Sequence, residues 1–435
     1  MKAFMTALIL LVASVNFRAT AQHMTLEDAV AIGLENNYSI RIARNSADIA
    51  MNTATFGTSA LLPTLDASAS GSLLDSRQQT NSPFSFGDSE TRSMTAQLSL
   101  NWTLFDGFRM FADRNRYHAL ARLGEEQARA GIEAAVTSIA RAYFSLVQQQ
   151  QLELVLRRSL EISAVRLEKE RVRRELGGSL TTLLTAEVAY ASDSLELLQQ
   201  QLAVDIARQE LNLNLGRPAD TPCEVTSVID VRGTDKERDE LFRLARERNA
   251  ALRIASGNLT VAQEDVTASR SGFLPRLGLF ATWGYSDRLV ASSSERFSQD
   301  ITTQSADATV GLNLSLNLFN GLRNSTELQN AELVRENRRL LLEEARLRVD
   351  ADLRAQLLTL DARLEATRLS ERNLDAARRS LDLHLERYNT GVISSLEFRD
   401  AQLQYVRAEA ANITARYLAR VALIDVQRTT GDLRF

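Results

Sequence analysis

Two periodicities divide the chain. Val310, Leu312, Leu314, Leu316 and Leu318 alternate with Gly311, Asn313, Ser315 and Asn317, while Ala96, Leu98, Leu100, Trp102 and Leu104 alternate with Gln97, Ser99, Asn101 and Thr103. A period of two places the leucines on one face of a strand and the small polar groups on the other. The segment after Pro275 behaves likewise, with Leu277, Leu279, Ala281, Trp283 and Tyr285 against Gly278, Thr282, Gly284 and Ser286, and Phe280 as the exception. Elsewhere the spacing is four and three: Ile132, Val136, Ile139, Tyr143 and Leu146; Leu353, Leu357, Leu360 and Leu364; Leu403, Val406, Ala410, Ile413 and Tyr417. Seams of that kind require a partner helix along their whole length.

A repeat organises these elements. A shift of 212 positions superposes residues 35–65 on 247–277, matching Asn37, Arg41, Leu62, Pro63 and Leu65 with Asn249, Arg253, Leu274, Pro275 and Leu277. A shift of 214 superposes Leu104-Phe105-Asp106-Gly107-Phe108-Arg109 on Leu318-Phe319-Asn320-Gly321-Leu322-Arg323. Two structural repeats, 22–234 and 235–435, therefore follow one plan. In the first, Thr25 as N-cap with Asp28 three residues on opens a helix over 25–62, ended by Pro63. Strands at 64–74 and 94–105, a long helix 107–176, a helix 179–215 and a Pro-containing connector 216–234 come next. The second predicts a helix 238–274, strands 276–287 and 307–319, a long helix 321–390 and a helix 394–430. Some 70 residues without proline make a helix about 105 Å long. Such a helix is a rod or a stave of a tube. The charge-dense stretch Glu168 to Glu175 reads as a solvated helix face.

Residues 1–21 carry a different signature. Lys2, an apolar run from Ala3 to Val15 and Ala19-Thr20-Ala21 before Gln22 have the form of a cleavable secretory signal peptide. No apolar run elsewhere is long enough for a transmembrane helix. Entry into a membrane after export would then have to use strands. Almost all the remaining chain is long helix, so nothing globular is left to cover the leucine faces. Leu98, Leu100, Trp102, Leu277, Leu279, Leu312, Leu314, Leu316 and Leu318 are therefore expected to face lipid. About eleven tilted residues rise about 27 Å, the height of a hydrocarbon layer. Trp102, Phe105, Phe108 and Phe319 would form an aromatic girdle where strands meet helices. Four strands cannot close a barrel, and an open edge is not tolerated in lipid, so several copies must pool their strands.

Composition narrows the chemistry. Among 435 residues there are one cysteine, Cys223, and three dispersed histidines, His23, His118 and His384. A disulfide framework, a thiolate metal site and a histidine metal cluster are thereby disfavoured. A formal net charge of −4 gives no reason to expect nucleic acid. The serines that cluster in strands and loops have no nearby histidine, and Gly177-Gly178 reads as a helix–helix turn and not a phosphate loop. Neither catalysis nor a cofactor is expected. The competing readings are an exported coiled-coil scaffold without a pore and an enzyme on a helical platform, the latter lacking any convergent polar cluster.

The duplicated Asn-x-x-Ile/Leu-Arg … Leu-Pro-x-Leu blocks, the Leu-Phe-Asp/Asn-Gly-x-Arg junctions and Arg387-Tyr388-x-x-Gly391 … Asp400-Ala401-Gln402 resemble the TolC family of outer-membrane efflux proteins, in order along the mature chain. The resemblance implies a mainly α protein with a β-barrel part. Three copies would share a twelve-stranded outer-membrane barrel continued by a helical tunnel through the periplasm. It further implies a periplasmic adaptor (membrane fusion) protein and an inner-membrane pump or secretion ATPase as partners. In the family, the turn between the second long helix and the closing helix forms the periplasmic entrance. Acidic groups six and nine positions after the turn glycine narrow the pore in some members. Counting from Gly391 gives Glu397 and Asp400, with Tyr388 three before the glycine. Three copies of two carboxylates would favour cations, whereas a purely structural role would make both ordinary first-turn residues at a helix N-terminus. Some members lock the entrance with an arginine two after that glycine, where Ile393 stands here. The facing turn offers Leu183 and Leu184, so a lock would have to be built differently, as by apolar contact.

Overall fold

The computed structural model describes residues 24–55, 58–77, 88–226, 228–292 and 300–433. The signal segment 1–21 and most of both polar strand-to-strand loops lie outside them. The two halves share an element order. The first comprises α1 (Leu26–Asn36), α2 (Tyr38–Thr53), β1 (Thr64–Ser76), β2 (Ser89–Phe105), α3 (Arg109–Glu175) and α4 (Leu180–Leu215). The second comprises α5 (Arg238–Arg248), α6 (Ala250–Arg270), β3 (Arg276–Ser292), β4 (Ile301–Ser315), α7 (Arg323–Asn389) and α8 (Ser395–Thr430).

The single opening helix expected in each repeat is two helices. Asn37 and Asn249 leave helical geometry (ψ 124° and 126°) and cap α2 and α6 respectively: Asn37 Oδ1 accepts from Ile40 N and Asn249 Oδ1 from Ala251 N. Their amides reach across the fold, Asn37 Nδ2 to Asn214 O at 2.6 Å and Asn249 Nδ2 to Thr429 O at 2.9 Å. A short polar side chain that satisfies both a helix start and the carbonyl end of a neighbouring helix outweighs continuation of the helix. α2 also stops at Thr53, well before Pro63, whereas α6 and a 3₁₀ turn over Ser271–Phe273 run nearly to Pro275.

The α3 and α7 helices have 67 residues each, about 100 Å at the standard rise. Both start from a left-handed pair, Gly107-Phe108 (φ 72° and 69°) and Gly321-Leu322 (φ 68° and 65°). Gly107 is also a close approach: a β-carbon there would meet Ser271 O at 2.7 Å. The 36-residue helices α4 and α8 both end at a left-handed glycine, Gly216 and Gly431. Arg217 N donates to Asn212 O and Asp432 N to Gln427 O, closing the last turns. Two of the three seams pack as their spacing requires, with Val136, Ile139, Tyr143, Leu146, Leu353, Leu357 and Leu360 buried, whereas in the third only Ile413 is buried and Leu403, Val406, Ala410 and Tyr417 are half-buried. One core joins α1, α3, α4, the end of α8 and the connector, where Cys223, Val225 and Ile229 pack. A second joins α5, α6, α7 and α8.

The strands form one antiparallel sheet in the order β1-β2-β3-β4. All four strands are longer at the loop end than the period-two segments indicate, β1 running to Ser76, β2 starting at Ser89, β3 running to Ser292 and β4 starting at Ile301. At its other end β4 stops at Ser315, so Leu316 and Leu318 lie beyond the strand, in the exposed approach to α7. A bulge between Thr103 and Phe105 makes Leu104 the extra residue and puts Phe105 opposite Leu277, correcting the alternation expected for Leu104. The Phe280 exception is explained by its partner: it lies opposite Gly311, whose added β-carbon would come within 2.5 Å of the ring. The ring covers the backbone that glycine leaves bare.

Candidate functional site

Cross-strand register sorts the two faces of the sheet. Leu65 lies opposite Leu100, Leu100 opposite Ala281 and Ala281 opposite Val310, so four strands contribute one apolar row. Rows on either side carry Trp102, Leu279 and Leu312, then Leu98, Trp283 and Ala308, then Ala96, Tyr285 and Ala306. The band changes character at Asp287 opposite Gln304. The other face carries Ser68, Gln97, Ser99, Asn101, Thr282, Thr309 and Asn313. Val310, Leu312 and Leu314 are exposed, so the chain's own helices do not cover the leucine face. Trp102 Nε1 donates to Leu61 O at 3.2 Å, and Phe105 meets Phe108 edge-on at 5.0 Å, which anchors aromatic rings at the strand–helix junction. Among the described residues no helix is long and apolar enough to cross a membrane, and no group of three or more His, Cys, Asp or Glu could hold a metal ion.

The opposite end of the rod carries the hairpin turns at Gly177-Gly178 and Gly391. Tyr388, Glu397 and Asp400 lie there in three different settings. Tyr388 is buried, stacked on Phe398 with centroids 5.0 Å apart and rings 6° from parallel. Its phenol donates to Glu170 Oε1 at 2.8 Å, and Lys169 and Arg173 lie over its ring. Burial, and then the bond to Glu170, raise its pKa, so the phenol remains a donor at neutral pH. Glu397 is exposed and closes a capping box: Ser394 N and Oγ both donate to its carboxylate at 2.8 Å, and Glu397 N donates to Ser394 Oγ. Those two donors hold its carboxyl below the usual range, keeping it charged. Asp400 is exposed and accepts from Gln404 at 2.7 Å.

The contact between the hairpins has an apolar part, in which Ile162 of α3 packs with Tyr388, Phe398 and Ile393, and a polar part beside it. Arg399, on α8, makes a two-pronged hydrogen bond to Asp193 of α4, Nη1 to Oδ2 at 2.7 Å and Nη2 to Oδ1 at 2.5 Å. Ser163 of α3 donates to the same carboxylate, and Gln402 donates to Ser159 O at 2.9 Å. Arg399 and Asp193 side chains are 13% and 5% exposed. Glu170, placed by sequence on a solvated face, is 3% exposed. Charge alone hid this seam, although its positions Val155, Ser159, Ser163, Leu167 and Glu170 continue the helical spacing of the buried stripe.

The pattern of the family described as outer membrane efflux protein matches residues 31–217 and 241–432, nearly all of both halves. The chain belongs to that family. Outer membrane protein TolC of Vibrio cholerae is 22% identical over 405 residues, covering 92% of this chain and 89% of that one. The alkaline protease secretion protein AprF of Pseudomonas aeruginosa is 26% identical over 310 residues, 70% of this chain and 63% of its own length. Among solved structures, the CmeC outer membrane channel of Campylobacter jejuni superposes with a TM-score of 0.78 at 18% identity, over 94% of this chain and 85% of that one. VceC of Vibrio cholerae superposes at 0.73 and 18% identity, over 93% and 96%. An efflux family member of this fold is an outer-membrane channel protein that extends into the periplasm. Family and fold are those of channels, not of enzymes or of a scaffold without a pore.

Proposed function

We propose that three copies pool their sheets into a twelve-stranded barrel, with the leucine rows on acyl chains and the serine, threonine and asparagine rows on water. The observation that carries this reading is the sheet itself: one face is an uncovered apolar band, the other is polar, and β1 and β4 each have a partner on one side only among the described residues. Unpaired edges in hydrocarbon are too costly to persist, and closure with other copies removes them. The tube acts as the passive exit duct of a tripartite efflux or type I secretion system. A periplasmic adaptor and an inner-membrane pump or ATPase supply the energy and deliver the substrate. The end that carries Tyr388, Glu397 and Asp400 is its entrance, where Glu397 and Asp400 from three copies form an acidic ring that favours cations. Purified protein should size as a trimer in detergent and conduct ions in planar bilayers. A freely soluble monomer without conductance would sink the proposal.

A further inference from the structure

Arg166 is the buried charge that the entrance contacts leave over. It lies on α3 and is 2% exposed, and its Nε and Nη2 have no hydrogen-bond partner among the described residues. Burial and then the nearby Arg399 disfavour its cation, while Tyr388, Asp193 and Glu170 act to keep it. A methionine or leucine would pack such a place without that cost. The surroundings indicate what the charge is for. With Arg399 docked, Asp193 already accepts three hydrogen bonds, two from the guanidinium and one from the Ser163 hydroxyl. If α8 leaves, Arg399 leaves with it, and a carboxylate 5% exposed is stripped of its countercharge. Arg166 remains behind, on the same helix as Ser163 and three residues on, so it shares that face.

We propose that Arg166 is the stand-in partner of Asp193, closing on it when α8 withdraws and carries Arg399 away. The exchange gives two states of similar charge balance. Closed, the pair is Arg399–Asp193 and Arg166 is buried with Nε and Nη2 unpartnered; open, the pair is Arg166–Asp193 and Arg399 is hydrated. A switch needs two discrete arrangements of this kind, and a plain buried pair would make opening prohibitively costly. This inference rests on reading this end of the rod as the gated entrance.

The test is a double-mutant cycle on the full-length channel in planar bilayers, with thermal unfolding of the same preparations. Arg399→Ala should shift the closed–open equilibrium toward open. Arg166→Met alone should leave the closed channel folded and make openings rarer. Arg399→Ala with Arg166→Met should lose most of the gain, a coupling of roughly tenfold, in the range for residues that share a partner. Adding Asp193→Asn to that pair should restore opening, because no carboxylate is left to pair. If the double variant is too unstable to record, a melting temperature below both singles that Asp193→Asn restores supports the exchange, and one that it does not restore overturns it. Opening by Arg399→Ala that Arg166→Met leaves unchanged overturns the role of Arg166 but leaves the gate intact. An Arg399→Ala channel that conducts like the parent overturns the gate reading itself.

Discussion

The phenol of Tyr388 donates to Glu170 Oε1 at 2.8 Å, tying together residues 218 positions apart. Tyr388→Phe keeps the stack on Phe398 and removes only that bond. A buried hydrogen bond to a charged acceptor is worth about 1.5–3 kcal/mol, so the variant should open more readily and melt lower. The raised folded-state pKa means that the bond's contribution is complete below the ordinary phenol range near 10 and is lost as pH rises above it. Channel recordings between pH 7 and 11 check both points; a pH-independent contact at high pH would contradict the assignment.

Charge and capping at Glu397 can be separated. Glu397→Gln retains an acceptor at the capping position but removes a carboxylate from each copy, as Asp400→Asn does. The paired variant should show weaker cation preference and weaker block by divalent cations, with an unfolding midpoint near the parent's. Because the folded-state pKa of Glu397 is depressed, the cap is stable at neutral pH and weakens only as pH falls below the ordinary glutamate range. Block that titrates at or above that range would assign it to another group.

Asn37 and Asn249 hold equivalent corners of the two repeats, each capping one helix and bonding the end of another. Replacing either with alanine should cost about 1–2 kcal/mol. The sites are independent, so the double variant should be additive within about 0.5 kcal/mol by denaturant titration.

Neighbours on β4 face opposite ways. Val310 belongs to the leucine rows and Thr309 to the polar face. Val310→Arg should cost about 2–4 kcal/mol of folding into a bilayer, seen as loss of the heat-resistant trimer on gels, whereas Thr309→Arg should assemble and change conductance. Equal effects at the two positions would mean that the face does not meet lipid.

Range explains why some of this was legible and some not. The long helices, their terminal glycines and the alternating strands are written in neighbouring residues, because a period of 3.6 or 2 and a left-handed cap are local requirements. Asn37 and Asn249 were visible as repeat partners but read as helix interior, because the helix is broken there by a carbonyl on a distant one. Leu316 and Leu318 continue the alternation after β4 has lost its pairing partner, and pairing is a property of two strands. Tyr388 could be located by its distance from Gly391, but Glu170, Asp193, Arg399 and Arg166 could not, since their charges resemble any solvated helix face until packing removes the water.

Patterns among neighbouring residues specify the shared element order of the two halves, the rod-length helices, the two-faced strands and the family, because each recurs locally. Which charges are buried, and whom they meet, follows from packing between distant segments. The energy of a charge depends on the solvent around it, and side chains more than 200 residues away set that solvent.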